Sequence, residues 1–385
     1  MSPTAQPGYR VGVVGCGRKG TSQARAFALH PLASVVAAAD PDPENLQLFC
    51  ARFAVPGYDS YREMLEKERI DIASVVLPVG VNPEVVIGCA RAGVKAVFSE
   101  KPISVSLEEA DRMVEACRER GIPFAGADMF RNFPQYWKGL EMIRAGELGP
   151  IQSINLYQAG DSISGAGCQG LSLLRMFACD AGVERIAGWV NGIAAEDSEG
   201  APIVVDEHSD HDQGMGGFVL FKNGIEAFIH CRPGARRGIE VVCSEGVFAS
   251  DNRSFHLWKV KEGTDGRKLE DLEEIEGLFP ASRLDESVRN QDGWLEPGTR
   301  TIATTQSLID ALELGIEPRC SGEDLRQALE IAVALRESHR RGFSPVELPL
   351  QDRSLKIIPK KGRLLNKKEV YGGEWYAEQI GRHKK

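Results

Sequence analysis

The sequence predicts an α/β domain with a parallel sheet, followed by an α+β domain with a large, mostly antiparallel open sheet. Three observations carry this reading. Between residues 10 and 127, short apolar runs alternate with amphipathic helical stretches, the pattern of parallel strands joined by crossover helices. Between residues 214 and 250, runs of period two follow one another closely, with Asn223-Gly224 as a hairpin signal. The chain has 385 residues, enough for two separate cores.

The bulk properties narrow the function classes. Composition is ordinary for a globular protein, at 42% hydrophobic and 26% charged residues. A formal net charge of −9 argues against a nucleic-acid partner. No apolar run approaches the roughly 20 residues of a membrane span, so no membrane association is expected. Residues 1–10 lack the apolar core of a signal peptide and read as a short lead. The nine cysteines are scattered without a C-x-x-C pair, which reads as reduced thiols in a cytoplasmic protein. The sequence shows no internal repeat and no low-complexity tract.

The first element is an apolar strand at residues 11–14, which stops at Gly15. Glycines recur at Gly17 and Gly20, and residues 21–29 read as a helix. This places a G-x-G-x-x-G motif between a strand and a helix, the context the motif requires. Gly15 permits a sharp turn, Gly17 lets a pyrophosphate approach the backbone, and Gly20 lets the helix pack closely on its strand. The helix N-terminus, with Arg18 and Lys19, faces the anion. The next strand, residues 34–39, ends at Asp40, where a carboxylate can hold an adenosine ribose. That charge would repel a 2′-phosphate, so NAD is expected over NADP.

Helices follow at residues 43–53 and 61–67, and a buried strand at 71–77 ends in Pro78. Asn82-Pro83-Glu84 opens a helix that runs to residue 92 and is closed by Gly93. A strand at 94–98 delivers Ser99-Glu100-Lys101-Pro102 at its carboxyl end. A capping box at Ser106-Leu-Glu-Glu109 opens a helix to residue 120, and residues 122–125 complete the sheet. Ligands of such sheets bind at the carboxyl ends of the strands, so Gly15, Asp40, Pro78 and Lys101 are expected in one crevice.

The second domain is expected to open with a helix at residues 134–145 and a strand at 151–158. A helix follows at 168–178, then period-two strands at 214–221, 225–231, 238–243 and 246–250. Helices at 301–314 and 322–341 are expected to end this domain. Residues 191–210 and 261–298 read as long polar loops. The tail from Gln351 is basic and carries Tyr371, Trp375 and Tyr376; docking against protein and a flexible arm both fit it. The predicted division is 1–127, 128–350 and a tail at 351–385.

These residues resemble the glucose–fructose oxidoreductase/inositol dehydrogenase (Gfo/Idh/MocA) superfamily. The resemblance runs through the glycine turn with Asp40, then Phe98-Ser-Glu-Lys-Pro102 followed by Leu107-Glu-Glu-Ala110. It continues through Met129-Phe-Arg-Asn-Phe-Pro134 and Gly146-Glu-Leu-Gly149 to the closing helices at 307–341, covering roughly residues 10–350 in order. It implies a Rossmann domain and an α+β domain whose open sheet serves oligomerisation, so a homo-oligomer is expected. It also implies hydride transfer between a nicotinamide and a hydroxyl carbon of a sugar, inositol or related polyol. By position, Glu100 and Lys101 would sit beside the nicotinamide ribose, with Lys101 toward the reacting oxygen. An ammonium there stabilises a developing alkoxide and can relay a proton.

One stretch departs from the pattern. Family dehydrogenases carry D-x-G-x-H-x-x-D, with the histidine as general acid/base. Here Gly165 and Ser172 replace the aspartates and Gln169 replaces the histidine, while Gly167 is kept. Glutamine can hydrogen-bond a hydroxyl but cannot take its proton. Lys101 alone could serve as acid/base, or Asp161 upstream could fill the gap. The run Asp206-Glu-His208-Ser-Asp210-His211-Asp212 is dense in titratable groups but lacks metal-ligand spacing, and reads as a solvated loop. Tyr157, Asp128 and Arg131 are further candidates to line the cleft, and Asn82 stands where many relatives have a histidine. Three functions remain open at this level. The first is an NAD-dependent sugar or polyol dehydrogenase with an atypical acid/base. The second is a redox-neutral enzyme using transient oxidation for elimination or epimerisation, and the third a non-catalytic NAD-binding protein.

Overall fold

The computed structural model describes residues 8–157, 167–190, 209–211, 214–230, 238–279, 299–358 and Glu374. They form two compact units, one built from residues 8–129 and 299–326, the other from 130–279 and 327–358. Among the described residues, no helix is long and apolar enough to cross a membrane.

The first unit alternates strand and helix. Its elements are β1 (Tyr9–Val14), α1 (Arg18–Leu29), β2 (Ala33–Ala39), α2 (Pro43–Phe53), β3 (Gly57–Tyr58) and α3 (Tyr61–Lys67). They continue with β4 (Ile72–Val75), α4 (Asn82–Arg91), β5 (Ala96–Ser99), α5 (Leu107–Glu119) and β6 (Phe124–Gly126). The six strands are all parallel, in the order β3-β2-β1-β4-β5-β6. The order reverses between β1 and β4, which creates the crevice where such sheets bind ligands. Local chemistry explains the helix starts. Asp42 accepts from the N–H groups of Glu44 and Asn45 with Pro43 at the first position of α2, and Ser106 accepts from Glu109 N–H at α5. The two-residue β3 has no sequence signal of its own; it exists because Gly57 and Tyr58 pair with Ala38 and Ala39.

The second unit opens with α6 (Pro134–Arg144), β7 (Ile151–Leu156), α7 (Cys168–Phe177), β8 (Val183–Val190) and β9 (Ser209–His211). β10 (Met215–Phe221), β11 (Glu226–Ile229), β12 (Ile239–Cys243), β13 (Gly246–Ser250), β14 (Phe255–Val260) and β15 (Leu272–Glu274) follow. The chain then forms α8 (Thr299–Leu314), α9 (Gly322–Arg340), β16 (Val346–Glu347) and β17 (Lys356–Ile358). Nine strands make one sheet in the order β15-β14-β13-β12-β7-β11-β10-β8-β16. Every neighbouring pair is antiparallel except β7 with β11. One face is apolar and buried, through Ile154, Leu156, Val219, Ala227, Val241, Phe248 and Leu257. The other face carries Trp189 and Phe228, which are 44% and 38% exposed. This is the mostly antiparallel open sheet that the period-two runs predict.

Four features differ from the sequence reading. α8 belongs to the first unit rather than the second: Leu308 and Ile309 join a core with Phe27, Phe98 and Ile72. Gln23 of α1 donates from Nε2 to Thr305 Oγ1 at 2.8 Å. An amphipathic stripe says that a helix covers a sheet, not which sheet. Residues 261–279 are not all loop, because β15 adds to β14 as an edge strand. Ser209 and Asp210, read as the end of a loop, pair in β9 with β17. Residues 351–358 belong to the second unit, whereas the remaining loop stretches, at 191–208 and 280–298, lie outside the described residues, as does the tail beyond 358 except Glu374.

Candidate functional site

The glycine turn has the geometry its spacing demands. Gly15 has φ +97°, and a Cβ there would lie 2.2 Å from the Val76 carbonyl oxygen. A Cβ on Gly20 would lie 1.8 Å from the Gly15 carbonyl oxygen. Any side chain at either position would force the backbone apart, so the turn and the close helix–strand approach both require glycine. Gly17 caps α1 in extended conformation and offers no side chain to the first turn. The first N–H groups of α1, at Arg18 and Lys19, therefore sit at a helix end suited to an anion.

Asp40 is buried at the end of β2. Its Oδ2 accepts from Cys16 N–H at 2.7 Å and its Oδ1 from Asp42 N–H at 2.8 Å. Two backbone N–H groups thus orient this carboxylate at the end of β2, the position from which an acid can hold a ribose. Burial, then the Asp40 carboxylate, pushes the Cys16 thiol far above its ordinary range, which keeps this thiol protonated and inert. Pro78 follows β4, and its carbonyl accepts from Val81 N–H at 3.1 Å. Beyond β5, Glu100 N–H donates to Val75 O at 3.3 Å, and Glu100 Oε2 accepts from Lys101 N–H at 3.3 Å. Lys101-Pro102 is a cis peptide, and Glu100 and Lys101 are half-buried. The carboxyl ends of β1, β2, β4 and β5 thus gather Gly15, Gly17, Asp40, Pro78, Glu100 and Lys101 in one unit. A glycine cradle that a Cβ would fill, a helix N-terminus and an oriented carboxylate fit a dinucleotide.

Gln169 lies in the other unit, in the first turn of α7, and is 4% exposed. Ser172, one turn on, is fully buried. Asp161, Gly165, Asp206, His208 and Asp212 lie outside the described residues. Among the described residues no group of three or more His, Cys, Asp or Glu could hold a metal. Asp128 is buried. Tyr157 donates to Glu240 Oε2 at 3.2 Å, and its ring stacks on His230 at 4.5 Å.

The sequence reading missed a buried charge cluster at α7. Arg131 is 3% exposed, and its Nη2 donates to Asp180 Oδ2 at 2.6 Å. Arg175, also buried, lies 3.7 Å from Asp180 Oδ1. Burial pushes the Asp180 carboxyl up, but the hydrogen bond and charge of Arg131, with Arg175 and Arg144, outweigh it and hold the group below its ordinary range. No local pattern could have shown this, because the partners lie 49 residues apart.

Residues 9–125 match the model of a family described as an oxidoreductase family with an NAD-binding Rossmann fold. A dTDP-3,4-didehydro-2,6-dideoxy-alpha-D-glucose 3-reductase of Actinomadura kijaniata is 32% identical over 145 residues, 37% of this chain and 43% of the relative. The myo-inositol 2-dehydrogenase of Thermotoga maritima is 33% identical over 143 residues, 36% of this chain and 42% of the relative. The chain thus spans less than half the length of these curated relatives. A levoglucosan dehydrogenase in complex with NADH and L-sorbose superposes with a TM-score of 0.72 at 18% identity, over 89% of this chain and 100% of that one. The WlbA dehydrogenase of Bordetella pertussis, in complex with NADH and UDP-GlcNAcA, gives 0.65 at 20% identity, over 91% and 100%. At such identities the likeness is one of fold.

Proposed function

We propose that this chain, whose residues 9–125 match the family model, is a member of the Gfo/Idh/MocA oxidoreductase superfamily and acts as an NAD-dependent oxidoreductase on a hydroxyl carbon of a sugar, glycoside or cyclic polyol. The observation that carries the proposal is the gathering of the glycine cradle, Asp40 and Lys101 at the carboxyl ends of β1, β2 and β5.

When bound, the nicotinamide supplies the hydride acceptor or donor. Gly15, Gly17, Gly20, Arg18 and Lys19 hold the pyrophosphate, Asp40 the adenosine ribose, and Pro78 and Glu100 the nicotinamide ribose. Asp40 selects NAD over NADP by charge. Lys101 stabilises the substrate oxygen as its negative charge develops and relays its proton. Gln169 donates to or accepts from a substrate hydroxyl and orients it, without taking a proton. Asp161 stands as the alternative proton acceptor. A cytoplasmic setting fits the described cysteines, which are free thiols.

Protein purified without added nucleotide, denatured and analysed for released dinucleotide, tests the cofactor assignment. The intact protein is then assayed for nicotinamide reduction with NAD against a panel of polyols and glycosides. Reduction is expected, and Lys101→Ala should lower its rate about 10²–10⁴-fold, the range for losing a positioned acid/base group. Retained NAD with a changed substrate but no net reduction would instead mark a redox-neutral enzyme. Gln169 at the histidine position favours one further reading, a non-catalytic NAD-binding protein; binding without turnover of any kind would establish it. Absence of dinucleotide binding would end all three.

A further inference from the structure

We infer that Arg131 is a positioning residue for Gln169, acting through α7 rather than by touching substrate; this rests on the role proposed for Gln169. α7 is buried along its whole length, and Gly167 brings no side chain to cap its first turn. The helix is instead gripped from the side. Arg131 Nη1 donates to the Ser172 carbonyl at 3.1 Å, while Nη2 donates to Asp180 at 2.6 Å. Ser172 lies three residues from Gln169, on the adjacent turn of the same helix face. Asp180 lies just beyond the helix with φ 55°, and its N–H donates to Arg175 O at 2.9 Å. The Arg131 carbonyl accepts from Trp137 Nε1 at 2.6 Å, which ties the backbone that carries this side chain to α6.

One planar fork therefore ties the middle of α7 and the turn just beyond it to the segment that enters the second unit. Two donors in fixed relation determine both the rotation and the axial position of the helix. A lysine carries its three donors on one nitrogen and lacks the two separated, coplanar N–H groups of the guanidinium, so it cannot reproduce the fixed geometry of the fork. The clamp works by geometry at constant charge, because the arginines around Asp180 keep it ionised. A glutamine that orients a hydroxyl is sensitive to such a shift, since displacing a reacting group by about 1 Å can cost about 10²-fold in rate.

The test compares wild type, Arg131→Lys, Gln169→Ala and the double variant, measuring kcat, KM and the NAD dissociation constant, together with a crystal structure of Arg131→Lys. The expected result is a kcat lowered about tenfold or more in Arg131→Lys, with NAD affinity unchanged. In the Gln169→Ala background the same substitution should cost little further, and the crystal structure should show Gln169 displaced within an intact sheet. Losses that multiply independently in the double variant, or a Gln169 that does not move, would overturn the inference. Should Arg131→Lys fail to fold, Asp180→Glu, which keeps the charge and shifts the carboxylate, takes its place. If no substrate is turned over, the crystal comparison alone decides: a displaced Gln169 upholds the positioning role while the role proposed for Gln169 fails, and an unmoved one ends both.

Discussion

At the scale of single residues, the glycines and the buried acids do most to set the candidate site. Gly20→Ala should both destabilise the fold by about 1–3 kcal/mol, the cost of overpacking, and weaken NAD binding, because relieving its clash displaces the Gly15 carbonyl. Thermal unfolding and NAD titration measure the two effects separately. Asp71 joins the amino ends of β1, β4 and β5. Its Oδ2 accepts from Arg10 N–H at 3.0 Å, and its Oδ1 lies 3.1 Å from Lys95 Nζ. Burial pushes this carboxyl up, but the Arg10 N–H and the Lys95 ammonium outweigh it and hold it below the ordinary range. A depressed folded-state pKa means stabilisation that is complete above the unfolded value of about 3.9 and is lost as pH falls through the folded one. Asp71→Asn should therefore lower stability by about 1–3 kcal/mol near neutrality. The difference from wild type should shrink below about pH 4; denaturant titrations across that range would show it. The motif residues in this half were readable because each stands beside a strand end. Gln169 was readable only as a departure from a pattern, and the bonds of Arg131 to the Ser172 carbonyl and Asp180 were not legible at all.

At the scale of elements, α8 is the informative case. Its apolar face was legible, but its partner was not: the helix returns to α1 after more than 250 residues and seals the first sheet through Leu308 and Ile309. The Gln23–Thr305 hydrogen bond is buried at both ends. Thr305→Val would leave the Gln23 amide without that partner, and the expected loss is about 1–3 kcal/mol, read from urea unfolding. A loss below the error of the measurement would mean that α8 adds little to the first unit. β3 and β15 went unread for a related reason, since two or three residues carry no period and gain their form from the strand they pair with.

At the scale of the whole molecule, the open sheet presents a large surface with Trp189 and Phe228 exposed on one face. We propose that this face pairs with a second copy of the chain. The family resemblance, which implies that this open sheet serves oligomerisation, supports the pairing, and Trp189 and Phe228 on its exposed face are apolar side chains that such a partner would cover. Trp189→Glu combined with Phe228→Asp should shift the protein to monomer in light scattering behind size exclusion, with NAD affinity retained. A wild-type protein that is already monomeric would refute the pairing.

The sequence alone determined the parallel and antiparallel sheets, the glycine turn with its carboxylate, and the lysine after the fourth long strand. Each is encoded locally, in a period, a turn residue or a short spacing, so neighbouring residues suffice to read it. The tertiary structure alone decided which sheet α8 covers, where the short edge strands form, and that Arg131 bonds the Ser172 carbonyl of α7 and Asp180. These depend on residues tens to hundreds of positions apart meeting in a packed interior. There the cost of burying a charge or an apolar face is met by whichever distant partner the fold brings near.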